Sequence, residues 1–289
     1  MNMITLSVVQ ATRNEEKHIG DNLKSVKDLA DELIVVDENS QDKTREIAQS
    51  FGAKVFLEPH HEIFHVTKQK ALDKATGTWI LQLDTDERVT PELAQEIKKV
   101  IAMTDVQIQG YQEKLINKRL FLRPHKLLEK RDGKIGTEDR EYTGFFVPRK
   151  NYFLGKFLKY GGTYPDGVIR LVKKGKAYFP QKSVHEQIVI KGKVGWLEND
   201  LLHYDSQNFR RYLERNSYYI DLIVLEMKRD KLRKNITNTL NYMFIKPIYW
   251  FLLTQIRHKG ILDGWQGVMF SFFSALRFPR AYLRYSEAN

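Results

Sequence analysis

Leu83-Asp84-Thr85-Asp86-Glu87 closes the apolar run Trp79-Ile80-Leu81-Gln82-Leu83 and sets two carboxylates one residue apart where a strand would end. Oxygen ligands so spaced, on a chain leaving a strand, can reach one hard divalent cation such as Mg²⁺, which favours carboxylates and keeps positions open for substrate phosphates. The plain alternative is a solvated acidic turn before a helix. The strand-end position argues against it, because ligands of α/β sheets sit beyond the carboxyl ends of the strands. Val36-Asp37-Glu38-Asn39-Ser40-Gln41-Asp42 puts a second acidic group at a strand end. Asp37 can accept from a base N–H or a ribose hydroxyl, whereas Asp42 reads as a helix cap. After the first strand, Ala11-Thr12-Arg13-Asn14-Glu15-Glu16 can cradle a nucleotide or simply start a helix.

The elements that must hold these residues follow from hydrophobic period. Ile4–Val9, Leu33–Val36, Ala53–Leu57 and Trp79–Leu83 read as strands. Ile19, Leu23, Val26 and Ala30, then Leu93, Ile97, Val100 and Ile101 after Thr90-Pro91, recur at helical steps. Strand and helix alternating at this spacing predict βαβ units and an α/β fold with a mostly parallel sheet flanked by helices. Strands this apolar are expected to be buried on both faces. Residues 118–142 mix Lys and Arg with Glu and Asp and read as a long loop or flap. Gly167–Val172 and Glu186–Ile190 read as short strands, and a helical pattern through Tyr212, Tyr219, Ile223 and Met227 follows Ser206. The domain expectation is therefore residues 1–205, then a helical, amphipathic extension over 206–289.

These residues resemble family 2 of the nucleotide-sugar glycosyltransferases, which have the GT-A fold. The segments SVVQATRNEEKHIGDNLKSV, IVVDENSQDKT and KQKALDKATGTWILQLDTDERVTPEL follow that family's order and spacing. GFFVPRKNYFLGKFLKYGGTYPDGVIRLV, SVHEQIVIKGKVGWLENDLLHYD and GILDGWQGVMF are similar to the branch of lipopolysaccharide-core glycosyltransferases. The resemblance covers most of the chain except 118–142. It implies that Thr12, Glu15 and Asp37 line a nucleotide pocket, that Asp84 approaches ribose and metal, and that Asp86 binds Mn²⁺ or Mg²⁺ at the diphosphate. The chain departs from the family at Ala11, where Pro is frequent, at Glu38, where Asp or a small residue is frequent, and at Lys70, where Asn is frequent. Glu38 bears on uridine preference, and Lys70 becomes a candidate phosphate contact.

Transfer from a glycosyl diphosphate needs charge stabilisation on the leaving phosphate and a base on the opposite face of the sugar, giving inversion. Two carboxylates are candidates for that base. Glu186 follows His185 in Ser183-Val184-His185-Glu186, and His185 could complete a metal shell; Asp166 lies in Tyr164-Pro165-Asp166-Gly167. An ordinary strand pair pointing to opposite faces is the alternative for His185 and Glu186. Asp166 could instead pair with Arg170, itself a candidate phosphate or acceptor contact. His60, His61 and His65 read as a loop rather than a metal cluster, His203 as a structural histidine, and Asn235-Ile236-Thr237 as a glycosylation match of little weight.

Composition narrows the classes. With 42% hydrophobic and 29% charged residues over 289 positions, the chain can bury a sizeable core, and disorder and repeats are set aside. The absence of cysteine removes disulfides, thiolate metal sites and cysteine nucleophiles. The N-terminal residues show no signal peptide pattern. Of the net charge of +11, residues 206–289 carry +8, from 14 Lys and Arg against 6 Asp and Glu, among abundant aromatics. Leu240–Ile256 and Gly260–Phe278 are apolar but broken by Lys246-Pro247 and by Asp263-Gly264, so interfacial helices are expected rather than spanning ones. The expected partners are a sugar nucleotide, most simply a UDP-sugar, a lipid-linked glycan acceptor and a membrane surface, with a homodimer as the other use of the tail. The expected location is the cytoplasmic side of the inner membrane, held peripherally. A polyprenyl-phosphate acceptor is the nearest alternative. A basic nucleic-acid-binding protein or scaffold is the alternative of another class, and the sequence carries no nucleic-acid-binding signature.

Overall fold

A computed structural model describes residues 5–137, 141–180 and 187–287, with residues 131 and 132 described by their backbone alone. The chain divides into two compact units. The first comprises Met1–Arg149 and Pro165–His203, the second Lys150–Tyr164 and Tyr204–Asn289. A short inner segment, Lys150–Tyr164, thus joins the helical unit.

In the first unit β1 (Leu6–Thr12), α1 (Ile19–Val26), β2 (Glu32–Asp37), α2 (Thr44–Ser50), β3 (Lys54–Leu57), α3 (Phe64–Lys74) and β4 (Trp79–Gln82) alternate as the periods predict. Then come β5 (Glu87–Val89), α4 (Pro91–Ile101) and α5 (Asp105–Glu113). Thr90 caps α4 by accepting from Leu93 N at 3.2 Å, with Pro91 in the first turn where no N–H is needed. β3, β2, β1 and β4 pair side by side and all in parallel.

Beyond β4 the sheet changes character. After α6 (Lys118–Asp132) come β6 (Tyr142–Phe153), β7 (Lys156–Phe157), β8 (Asp166–Lys173), β9 (Ala177–Tyr178), β10 (Val189–Ile190), β11 (Lys193–Trp196) and β12 (Leu201–Ser206). β8 pairs antiparallel with both β4 and β6, and β12 pairs antiparallel with β5. The sheet is therefore mixed rather than mostly parallel: no crossover helix joins β6 to β8, so the chain reverses between them.

Alternation along each strand feeds two cores. Val8, Leu81 and Phe145 pack with Leu93, Ile97 and Val100 of α4, while Val9, Ile80 and Phe146 pack with Ala71 and Leu72 of α3. Both faces of the central strands are covered, as their unbroken apolar runs require. Residues 118–132 form helix α6, where the charge content predicted a loop. Phe121 is buried and stacks on Trp196 at 4.6 Å, Trp196 Nε1 donates to His125 Nδ1 at 3.3 Å, and Leu128 joins the same core. Positions 121, 125 and 128 share one helical face. The cations that dominate the composition occupy the others.

The second unit is mostly helical: α7 (Phe209–Arg229), α8 (Ile236–Leu240), α9 (Lys246–Leu252), α10 (Trp265–Ala275) and α11 (Arg277–Glu287). Phe153, Leu158 and Tyr212 form one core with Phe270 and Phe273; Ile220, Val224 and Met227 form another with Ala281, Tyr282 and Tyr285.

Candidate active site

The acidic turn leaves β4 at its carboxyl end, as the spacing predicts, and is clamped from several sides. Glu87 N donates to Asp84 O at 3.0 Å, and Asp84 N donates to Glu87 Oε2 at 3.0 Å. Asn22 of α1 donates its amide to Asp84 O at 2.8 Å and to Glu87 O at 2.7 Å. Asn22 sits on the stripe Ile19, Leu23, Val26, and a polar residue on an apolar stripe is the signal by which sequence alone could have flagged it.

The carboxylates of the turn are set among cations. Asp84 Oδ1 meets Lys68 Nζ at 2.6 Å and Oδ2 meets Arg170 Nη2 at 2.5 Å. Arg170, itself buried, also donates to Gln82 Oε1 at 2.5 Å and to Glu87 Oε1 at 2.6 Å. Glu87 is fully buried and takes a further contact from Arg149 Nη1 at 3.1 Å. Burial raises the Asp84 carboxyl, but Arg170 and Lys68 outweigh it and hold Asp84 well below the usual carboxylate range. Arg170 is raised in turn, the carboxylates of Asp84 and Glu87 overcoming its burial.

Asp166 does not pair with Arg170. Arg149 stands opposite Asp166 in the β6–β8 register and grips it as a fork, with Nε at 3.0 Å and Nη2 at 2.6 Å from Oδ2. Four residues along a strand span about 13 Å, too far for the expected i, i+4 pair, whereas the cross-strand neighbour is about 5 Å away. On the other side of the turn, Asp86 Oδ2 lies 3.4 Å from Nε2 of buried His203. Burial and the nearby Arg149 push the His203 imidazole below its ordinary value against the pull of Asp86. His203, read from sequence as structural, thus joins the acidic turn. Lys68, Gln82 and Glu87 join it without having been picked out.

The loops after β1 and β2 are knitted together. Asp37 is fully buried; its Oδ1 accepts from Ser40 N at 2.9 Å, and its Oδ2 accepts from Ser40 Oγ and, at 3.2 Å, from Thr12 Oγ1. Asn14 N donates to Ser40 Oγ at 2.9 Å and Glu15 N to Thr44 Oγ1 at 2.7 Å. Thr12, Glu15 and Asp37 therefore belong to one cradle, beside the β4 end because β1 lies between β2 and β4. Glu38 is buried and accepts from Thr67 Oγ1 and His60 Nδ1, the latter at 2.7 Å. Lys70 pairs with Glu58 and lies 3.2 Å from His61 Nε2. Among the described residues no three His, Asp or Glu side chains form a ready cage for a metal. His185 and Glu186 lie outside the described residues.

Known proteins are similar to this chain in sequence and, in part, in structure. The family described as glycosyl transferase family 2 matches residues 7–163. The chain is 26% identical to the lipopolysaccharide core biosynthesis glycosyltransferase LpsC of Rhizobium meliloti, over 99% of this chain and 96% of that one. It is also 26% identical to an uncharacterized glycosyltransferase of Rickettsia typhi, over 96% and 87%. Among solved structures it is similar to glucosyl-3-phosphoglycerate synthase of Mycobacterium tuberculosis, in complex with Mn²⁺, uridine diphosphate and glucosyl-3-phosphoglycerate. That likeness has 25% identity and a TM-score of 0.32 over 36% of this chain and 42% of that one. With S. aureus TarS it shares 13% identity and a TM-score of 0.44, over 97% and 91%. The match spans more than half of the chain and takes in the β1, β2 and β4 ends where the acidic groups gather, and the chain belongs to glycosyl transferase family 2.

Proposed function

We propose that the chain is an inverting, metal-dependent transferase that takes a sugar from a nucleoside diphosphate sugar, UDP-sugar first, and extends a lipid-linked glycan of the lipopolysaccharide-core type at the inner face of a membrane. The observation that carries this reading is the approach of Asp86 Oδ2 to Nε2 of the buried His203, 3.4 Å apart, beyond the end of β4. The near full-length likeness to LpsC supports the acceptor class.

One carboxylate and one neutral imidazole suit Mn²⁺ better than Mg²⁺, which prefers oxygen throughout. We place the metal on Asp86 and His203, because both carboxylate oxygens of Asp84 already face cations. A divalent cation held there would offset the charge that grows on the leaving diphosphate. Lys68 and Arg170 keep Asp84 ionised and fix the turn, and they are our candidates for contacts to the diphosphate. The cradle of Thr12, Glu15 and Asp37 takes the nucleoside. Arg149 engages Asp166 Oδ2 through both Nε and Nη2 and so takes that carboxylate up in an ion pair. General base catalysis therefore falls to Glu186.

Calorimetric titration with UDP, GDP and CDP, with and without Mn²⁺, tests the reading on wild type, Asp86→Ala and His203→Ala. One nucleotide binds only with the metal, and both variants lose that binding. Absence of nucleotide binding under every metal condition defeats the proposal.

A further inference from the structure

The helices of the second unit that follow α7 wear their apolar residues outward. From Ile236 to Arg257 the chain runs in one helical course, with π-helical turns at Asn241–Ile245 and Leu253–Arg257. Pro247 lacks the N–H that would close a turn and crowds the carbonyl four residues back, a strain that a wider turn relieves. Leu240, Phe244, Ile248, Leu252 and Ile256 recur every fourth residue, and all five are exposed, Ile256 at 71%. In a pure α-helix residues four apart drift by about 40° per step. The two π turns take up that drift and keep the stripe straight. Ile245 and Tyr249 widen it.

The inward side of the same course packs Tyr242 and Met243 on the α7–α11 core and Trp250 against Phe278, and turns polar towards its end. Thr254 and Gln255 are buried, and Gln255 Nε2 donates to Gly267 O at 3.0 Å and to Ser271 Oγ at 2.6 Å on α10. Trp250 Nε1 donates to Ser274 Oγ at 3.0 Å. On α10 and the turn before it, Ile261, Leu262, Trp265, Val268 and Phe272 are likewise exposed, Trp265 at 59%. Between Lys231 and Ser286 nine Lys and Arg stand against a single acid, Asp263. Asp263 is buried, and its carboxylate accepts from Lys159 N and Tyr160 N. The exposed charge of this stretch, at Lys231, Arg233, Lys234, Arg257, Lys259 and Arg280, is therefore positive, while Arg284 pairs with Asp221 of α7.

We infer that the exposed face of Ile236–Phe272 docks into the surface of an anionic lipid bilayer, its aliphatic stripe and Trp265 entering the acyl boundary and its cations meeting the headgroups. Among the described residues no helix is long and apolar enough to cross a membrane, so the helices lie in the interface. A second copy of the chain fits the face poorly. A two-fold interface would set this all-positive patch against itself, whereas anionic lipid complements it. The inference concerns lipid binding alone and stands apart from the transfer chemistry.

Vesicle sedimentation of the full chain tests it, with phosphatidylcholine alone and with phosphatidylglycerol mixed in, at low and high salt. The protein sediments with the mixed vesicles, less so at high salt and weakly with phosphatidylcholine alone. Ile248→Ser with Leu252→Ser and Ile256→Ser weakens binding on the order of 100-fold, and Arg257→Glu with Lys259→Glu weakens it by about 30-fold or more. These side chains are exposed, so both variants keep the wild-type melting temperature and its metal-dependent nucleotide binding, whatever that binding is. Failure to sediment with either vesicle overturns the inference. So does binding that the triple variant leaves unchanged, or a stable dimer in light scattering that the triple variant dissolves.

Discussion

Arg170→Met gives the sharpest test of how the acidic turn is held. The guanidinium is buried and reaches three acceptors at once, Gln82 Oε1, Asp84 Oδ2 and Glu87 Oε1. Methionine fills much of the volume and supplies none of those donors. Asp84 keeps Lys68 at 2.6 Å, but Glu87, with no exposure, retains only Arg149 at 3.1 Å and the Asp84 N–H at 3.0 Å. Removing one partner from a buried ionic group costs about 3–5 kcal/mol. For a unit of this size that lowers the melting temperature by about 6–20 °C. Calorimetric melting of wild type and variant at neutral pH reads the effect directly. Glu87→Gln added to Arg170→Met removes the stranded charge and recovers part of the loss, a coupling that two independent packing defects lack. An Arg170→Met melting temperature within about 2 °C of wild type would refute the charge-balance account, as would strict additivity in the double variant.

Two further expectations concern the opposite end of the sheet. Burial raises Glu32, but donation from Lys54 Nζ at 2.8 Å, Ser7 Oγ at 2.6 Å and Thr76 N at 3.0 Å brings it down to about 2. A carboxyl depressed in the folded state contributes stability above its ordinary value of 4.5 and loses it as pH falls toward about 2. Wild type and Glu32→Gln should therefore differ by about 1–2 kcal/mol in urea unfolding at neutral pH, after screening, and converge near pH 2; a constant gap contradicts the linkage. At Gly77 an added Cβ would lie 2.8 Å from Ser7 N and 2.9 Å from Thr5 O, both backbone atoms that cannot move aside. Gly77→Ala should cost about 1–3 kcal/mol in the same assay, and a neutral result would mean that β1 and the approach to β4 are looser than described.

The parallel half of the sheet was legible because short apolar runs alternated with helical periods, and because each strand-end acid stood next to such a run. The antiparallel half was not. β6 and β8 are paired by register, and register brings Arg149 to Asp166 and Arg170 to Asp84 and Glu87 across 17, 86 and 83 residues. No local period encodes those meetings. The alternative pairing of Asp166 with Arg170, four residues on, suits a helix and not a strand. Helix α6 was hidden for another reason: three inward positions, Phe121, His125 and Leu128, carry its packing, while its cations dominate any composition window. His203 looked structural because a lone histidine beside aromatics usually is; β12 pairs with β5, and that pairing brings it to the acidic turn.

The second unit shows where reading by hydrophobicity stops. The runs 240–256 and 260–278 are apolar in sequence whichever way they face, and a core helix would give the same count. The side that turns inward decides the matter, and here that side carries Thr254, Gln255, Ser271 and Ser274. Elsewhere along the course Tyr242 stacks on Tyr282 and Trp250 meets Phe278, and apolar packing helps there; at Thr254 and Gln255 it does not hold the seam. Hydrogen bonds from Gln255 and close backbone approach do: an added Cβ on Gly267 would lie 2.0 Å from Gly260 O, and one on Gly260 would lie 2.8 Å from Thr254 O. Small residues at the contact and polar side chains as cross-links are how helices associate in lipid, where burying apolar surface gains nothing. A seam built this way stays intact when its outer face passes from water to acyl chains, since none of its contacts depends on water being excluded from that face. That is the property a helical layer needs if it is to rest in a bilayer surface.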